Sequence, residues 1–319
     1  MNKIIKILKK KKSLTLDQFI NISLYDKKFG YYMKNNPFGS NGDFITSPLI
    51  SNLFSEMLAI WCIAFWEHLG KPKNIMLVEL GPGDGSLCKD LLKTFKRFKN
   101  FYKCLNINLL EISTKLKSIQ KKSIKNSKVK WIQNISKINS GPVIFIGNEF
   151  FDSLPIKHIY IKKNNFFEKY ILWSKKNNNI KAVYRPAKKE LIDEIKKINL
   201  HTYGKLVEYP IKTIEYLEQI AKKIKKFNGG LLTFDYGYDK KKSLDTLQSV
   251  KGHRYAAILS DPGKTDITSQ VNFKIFKNLF KSKNLQVEKI ITQNEFLQKM
   301  GILARAELLS KKMTFRKKV

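Results

Sequence analysis

The stretch IMLVELGPGDGSL, residues 75–87, decides the fold. Six apolar-rich residues, Ile75 to Leu80, read as a buried strand, and three glycines then follow in a G-x-G-x-G spacing at Gly81, Gly83 and Gly85. A helix is expected from there to about Phe98. Glycines at such a junction let the backbone turn sharply and let a ligand approach the helix N-terminus. The dinucleotide fingerprint is G-x-G-x-x-G, and here its sixth position is Ser86. With the acidic Glu79 two residues ahead of the first glycine, that departure points away from NAD and FAD. It suits a ligand carrying an amino-acid moiety. Glu79 can accept bonds from its ammonium group, directly or through water, and the backbone amides can meet its carboxylate.

Outward from this unit the alternation continues. Ile107–Ile112, Val129–Ile132 and Val143–Gly147 read as the second, third and fourth strands, and Leu231–Tyr236 as a fifth. Strands alternating with helices argue for a parallel sheet covered on both faces, the α/β class. Glu111 falls at the end of the second strand, about thirty residues past the glycines, where an acid accepts both hydroxyls of a ribose. S-adenosylmethionine and nucleotide sites share this pairing of glycine loop and acid.

The fourth strand runs into Asn148-Glu149-Phe150-Phe151-Asp152-Ser153. Ligands of open α/β sheets sit beyond the carboxyl ends of the strands, so this tip faces the same crevice as the glycine loop. Methylation of a nitrogen needs such groups. The Asn148 carbonyl can accept an N–H and aim the lone pair, and Glu149 and Asp152 can hold a guanidinium or take its proton. Phe150 or Phe151 can pack on the planar group. Asp235 and Tyr236 end the fifth strand at the same edge and can line the substrate side, as can His253 and Arg254. Asp261-Pro262-Gly263 and Asp266-Ile267-Thr268 read as a polar loop walling the pocket.

Composition bounds the rest. The chain has 319 residues, 43% hydrophobic, enough for one large core with additions. Lys+Arg number 61 against 26 Asp+Glu, a net charge of +35, which suggests a nucleic-acid partner. Only Arg97, Arg185, Arg254, Arg305 and Arg316 are arginines, however. Phosphate and base readout favour the planar guanidinium fork, and the lysines are scattered, so a solvated surface is the better reading. Cys62, Cys88 and Cys104 have no paired spacing and read as small buried hydrophobes in a reducing compartment. The four histidines show no ligand spacing, so no metal is expected. Met57–Trp66 is too short to span a bilayer and reads as a core helix. The basic N-terminus lacks an apolar core and cleavage site, so a secretory signal is not expected. An amphipathic helix there is favoured over contact with an anionic surface.

ELGPGDGSL, NEFFDSLP, FDYGY, GHRYAAILSDPGKTDITSQVNF and FLQKMGI, with LYDKKFGYYM and PFGSNGDFITSP near the start, resemble in order the blocks of MidA-like S-adenosylmethionine-dependent methyltransferases. The likeness spans about residues 14–310. It implies a Rossmann-like class I methyltransferase core with an N-terminal helical cover and an inserted α+β subdomain. The corresponding division is 1–72 for the cover, 73–155 with 228–319 for the core, and 156–227 for the insertion. It also implies S-adenosyl-L-methionine as cofactor and arginine N-methylation of a complex I core subunit as the activity. The setting would be the bacterial cytoplasm or the mitochondrial matrix. Glu79, Gly81, Gly83 and Gly85 then fall on the cofactor loop, Glu111 on the ribose acid and Asn148, Glu149 and Asp152 on the catalytic motif. Gly42, Asp43, Thr46, Ser47 and Pro48 fall on a block that closes over the cofactor. Asp84 departs from the relatives and adds negative charge beside the cofactor carboxylate. RNA methylation and a non-catalytic assembly role with the same fold are the alternatives.

Overall fold

The computed structural model describes residues 3–34, 52–240, 243, 245–252 and 254–311. Its centre is a five-stranded sheet made of Ile75–Leu80, Leu105–Leu110, Val129–Ile132, Val143–Asn148 and Gly229–Phe234. All neighbours pair in parallel, in the order fifth, fourth, first, second, third. The direction of strand succession therefore reverses between the first and fourth strands, which pair over Met76–Leu80 and Val143–Gly147. Open α/β sheets bind ligands at such a reversal, because the loops there diverge to opposite faces.

Alternate residues of each strand feed two cores. Leu77, Ile107, Ile144 and Ile146 pack on helices Asn52–His68 and Ser86–Phe95 through Leu58, Cys62, Leu91 and Phe95. Val78, Leu80, Val143 and Phe145 pack on helices Ile211–Phe227 and Phe273–Ser282 through Leu217, Ile220, Phe276 and Phe280. Burying both faces explains why the strands read as continuous apolar runs. The run Met57–Trp66 lies inside helix Asn52–His68, and no helix among the described residues is long and apolar enough to cross a membrane. Cys62 and Cys88 are buried and free, and Cys104 is half-buried. The N-terminal amphipathic helix forms at Lys3–Lys11, with Ile4 and Leu8 buried.

Two strand ends differ from expectation. The second strand ends at Leu110 and the fifth runs Gly229–Phe234, each two residues earlier than the apolar pattern suggests. Gly229 has φ of 137°, and a Cβ there would lie 1.8 Å from the Val143 carbonyl oxygen, so only glycine can begin this pairing. Tyr236, strand-like in sequence because it is aromatic, is 66% exposed beyond the strand end. Asp266–Thr268 is also a strand rather than a loop, paired antiparallel to Gln248–Lys251, and buries Asp266. Ser13–Thr15 forms a short strand, and the next helix begins directly after it at Leu16.

A second, antiparallel sheet unites distant sequence. Ser13–Thr15 pairs with Asn165–Ser174, which also pairs with Lys157–Lys162 and Asn179–Pro186, and Leu206–Tyr209 completes the other side. Lys157, bonded to Asp17 at 2.8 Å and Glu168 at 2.7 Å, ties the N-terminal helix Leu16–Tyr25 to this sheet. Helix Ile211–Phe227 covers the parallel sheet instead. We therefore propose that the insertion ends near residue 210 rather than 227.

Candidate active site

A cavity of about 500 Å³ opens where the strand order reverses. The glycine loop forms its floor. Gly81, Gly83 and Gly85 all have positive φ, at 60°, 57° and 86°, a region that costs an L-residue roughly 1–2 kcal/mol. A Cβ on Gly81 would come within 2.7 Å of the Phe150 ring, so the loop and the fourth-strand tip touch only because that side chain is missing. Gly81, Pro82, Gly83 and Asp84 line the cavity. Gly85 instead turns the chain into helix Ser86–Phe95, its α-carbon packed against Ile124 and Gln120. Asp84 accepts the Ser86 N–H at 2.9 Å, so its charge serves the helix N-terminus as well as facing the cavity.

Glu79 is 3% exposed, and its Oε2 has no hydrogen-bond partner among the described residues. Burial, then the charge of Asp84, pushes its carboxyl up to about 8. A buried polar atom without a partner costs stability unless a ligand supplies the missing group. Glu111 sits just beyond the second strand. Its Oε1 accepts the Ser113 N–H at 2.7 Å, and its Oε2 accepts from Gln120 Nε2 at 2.9 Å. Burial raises its pKa, and those bonds oppose the rise. Gln120 also donates to the Gly83 carbonyl at 2.8 Å and accepts from Trp131 Nε1 at 2.8 Å. It thus joins glycine loop to acid. The sequence offers no hint of this, because Gln120 lies in a lysine-rich helix and only the fold buries it completely.

The fourth-strand tip supplies Asn148, Glu149, Phe150 and Asp152 to the cavity. Asn148 donates to Glu149 Oε1 at 3.3 Å, while its own buried Oδ1 has no partner among the described residues. Glu149 has φ of 50°, a left-handed conformation unusual for a glutamate and of a kind concentrated at functional sites. Asp152 is driven well above the ordinary carboxylate range by burial first, then by Asp235, Asp266 and Glu149.

Three substrate-side expectations change. Phe151 is 2% exposed, packed on Phe276 in the core, and Phe150 is the ring that faces the cavity. Asp235 does not line the cavity either. Its carboxylate accepts the N–H groups of Phe151 at 2.9 Å and Asp152 at 3.4 Å, which fixes the shape of the tip. Arg254 is exposed on the edge strand Arg254–Ala256, away from the cavity lining. Tyr236 and Asp266 do reach the cavity. Gly42, Asp43, Thr46, Ser47, Pro48 and His253 lie outside the described residues. Tyr25, Tyr32 and Tyr216 line the cavity too, the first two from the LYDKKFGYYM block. His158, Glu208 and Asp245, far apart in sequence, gather within 4.8 Å. The Lys169 ammonium lies 3.3 Å from His158 Nδ1, and His158 Nε2 lies 3.3 Å from Glu208 Oε1.

The buried carboxyls fix the sign of a pH effect. Asp235 is raised to about 7 by burial, as Glu79 is to about 8. Between the ordinary carboxylate range and these values the unfolded chain has lost protons that the folded chain retains. Stability must then fall as pH rises through that window. Thermal melts from pH 4.5 to 8.5 are expected to drift downward, and Glu79→Gln to flatten the drift. An unchanged slope in the variant would contradict this account of Glu79.

Residues 57–291 match a family model described as "Putative S-adenosyl-L-methionine-dependent methyltransferase". The chain belongs to this family. Protein arginine methyltransferase NDUFAF7, mitochondrial, from Danio rerio is 30% identical, over 93% of this chain and 75% of its own length. The protein of the same name from Homo sapiens is 28% identical, over 93% and 72%. Among solved structures, a Burkholderia thailandensis protein bound to S-adenosyl-homocysteine superposes with a TM-score of 0.78, at 19% identity, covering 97% of this chain and 81% of that one. The parallel sheet is thus a Rossmann-like methyltransferase core, and S-adenosyl-L-methionine is its cofactor. The residues fit that group: a turn of glycines at a strand end, a buried carboxylate oxygen with no partner among the described residues and an acid beyond the second strand.

Proposed function

We propose that this methyltransferase transfers a methyl group to an arginine nitrogen of a protein, a respiratory complex I subunit in the assembling enzyme. The lining of the cavity carries the reading. Glu79, Asp84, Glu111, Glu149, Asp152, Glu215 and Asp266 face it, against the single cation Lys212 among the described lining residues. In a chain of net charge +35, seven acids against one lysine mark a site for a cation. The same lining weighs against RNA, whose phosphates these acids would repel. The names of the NDUFAF7 relatives agree with a protein arginine as acceptor and with a mitochondrial setting; a bacterial-type cytoplasmic setting is the other possibility.

When bound, S-adenosyl-L-methionine supplies an electrophilic methyl group on a sulfonium. Glu79 and the amides of the glycine loop hold the amino-acid end, and Glu111 holds the ribose. Asn148 Oδ1, buried and unpartnered among the described residues, accepts an N–H of the acceptor and turns its nitrogen lone pair toward the methyl. Glu149 pairs with the guanidinium. Methylating a guanidinium nitrogen releases one proton, and Asp152 is the acceptor the site provides. Phe150 covers the reacting atoms from water. Retention of this whole set argues for catalysis over a purely structural assembly role.

Mass spectrometry of complex I from a deletion strain tests the target. Loss of one methylated arginine, restored by the wild-type gene but not by Asp152→Asn, is expected. Unchanged arginine methylation across the complex would overturn the assignment.

A further inference from the structure

The outer wall of the cavity is built by a part of the chain that lies before the methyltransferase core in sequence. Leu16, Phe19, Ile20 and Leu24 bury one face of helix Leu16–Tyr25 and leave Tyr25 at its last position. Asp26 accepts the Lys28 N–H on its side chain and the Gly30 N–H on its carbonyl, both at 2.8 Å, and folds the chain back on itself. A Cβ on Gly30 would lie 2.5 Å from the Asp26 nitrogen, so the fold-back needs glycine. The next helix, Tyr31–Lys34, therefore begins beside the end of the last one. Tyr25 and Tyr32 consequently stack, with ring centroids 5.6 Å apart and planes 21° from parallel, and both line the cavity.

Each hydroxyl is committed to a different wall. Tyr32 donates to Asp266 Oδ1 at 2.7 Å, and Tyr25 bonds to the carbonyl and Oγ of Ser153 at 3.0 Å. The Ser269 N–H donates to the Asp152 carbonyl at 2.9 Å and closes the third side. Three segments remote in sequence are thereby fastened around one space, with Asp152 and Asp266 on separate walls beside two aromatic faces.

We propose that Tyr25 and Tyr32, with Asp266 oriented by the Tyr32 hydroxyl, form the subsite that recognises the acceptor as a guanidinium rather than an ammonium. This rests on the arginine reading above and adds the residues that enforce it. A guanidinium is flat, lies on an aromatic face, and presents donors in its own plane toward carboxylates at two sides. An ammonium is a compact, strongly hydrated point charge with no plane to match the rings. The Tyr32 hydroxyl occupies one lone pair of Asp266 and so sets the direction in which that carboxylate meets the substrate. Tyr32 acts partly through Asp266 and is a positioning residue in that respect.

The test uses the full chain at saturating S-adenosyl-L-methionine, with an arginine peptide and its lysine counterpart as acceptors. Tyr32→Leu is expected to raise the KM for the arginine peptide at least about tenfold and to shrink the preference over lysine by a similar factor. Its affinity for S-adenosylhomocysteine should stay within about twofold. Tyr32→Phe, which keeps the ring, should give a smaller rise in KM and retain most of the preference, whereas Asp266→Asn, which removes the carboxylate the guanidinium meets, should raise the KM and shrink the preference about as much as Tyr32→Leu. If Tyr32→Leu melts early, this second pair carries the test. Arginine methylation by the wild type with KM and preference unmoved in the variants would overturn the subsite and leave the arginine reading standing. Loss of homocysteine-product binding in Tyr32→Phe would assign the tyrosines to the cofactor instead. A wild type that methylates only lysine or RNA would remove the arginine reading and the subsite together.

Discussion

Asp152→Asn is expected to lower kcat by about 100-fold or more and leave S-adenosylhomocysteine binding within about twofold, the range of a lost general acid or base. Asparagine keeps the size and the polar atoms but cannot accept the proton that methyl transfer releases. The site around it explains why this carboxyl, rather than a surface acid, can serve. Asp152 is buried, and Asp235, Asp266 and Glu149 crowd it with like charge, so its proton affinity is raised. Its backbone is held by the Asp235 carboxylate and by Ser269, which keeps the side chain in place when the charge is removed. Product formation measured at saturating cofactor against a direct binding titration separates the two readouts. An equal fall in both would mean that Asp152 supports the cofactor site and not the proton transfer.

The second large effect falls on the cofactor. Glu111→Gln should weaken S-adenosyl-L-methionine by about 10-fold to 100-fold, since bonds to a charged group are worth roughly 1.5–3 kcal/mol. The substituted amide brings a donor to where the Ser113 N–H and the Gln120 amide already donate, so one of three N–H groups must go unpaired. That penalty adds to the loss of charge opposite the ribose hydroxyls. Gln120→Leu should show a weaker form of the same defect, because it frees Glu111 and the Gly83 carbonyl without changing the acid. Calorimetric titration with S-adenosylhomocysteine reads both variants. Wild-type affinity in Glu111→Gln would remove this acid from the cofactor site.

The parallel core was legible because its information is local. Ile75–Leu80 and Val143–Asn148 are buried on both faces, so apart from the site residues Glu79 and Asn148 at their ends they carry no polar side chain, and the strand announces itself. The glycine loop was legible because positive φ and the close approach of Phe150 admit no side chain. The substrate side was less so. Phe150 and Phe151 are identical in sequence and opposite in fate, since the turn at Glu149 sends one ring into the cavity and the other against Phe276. Asp235 reads as a pocket acid and in fact braces the backbone of its neighbours. Tyr25 and Tyr32 depend on contacts with Ser153 and Asp266 more than a hundred residues away, which no local pattern encodes. Gln120 looks like one more polar residue of a surface helix until Glu111, Gly83 and Trp131 close around it.

Charge reversed its meaning between the two levels. The excess of 35 positive charges is spread over the whole chain, whereas the cavity collects acids. A site that must receive a cation inside a basic protein has to be acidic enough to outweigh the surrounding field, and the carboxyls gathered on the cavity lining supply that at the point of contact.

The most direct measurement is amino-acid analysis of protein methylated in vitro. A lysate from a strain lacking the gene is incubated with purified protein and methyl-labelled S-adenosyl-L-methionine, then hydrolysed and resolved. The account predicts label in methylarginine, absent with Asp152→Asn. Label confined to methyllysine or to RNA, or equal labelling by the variant, would contradict it.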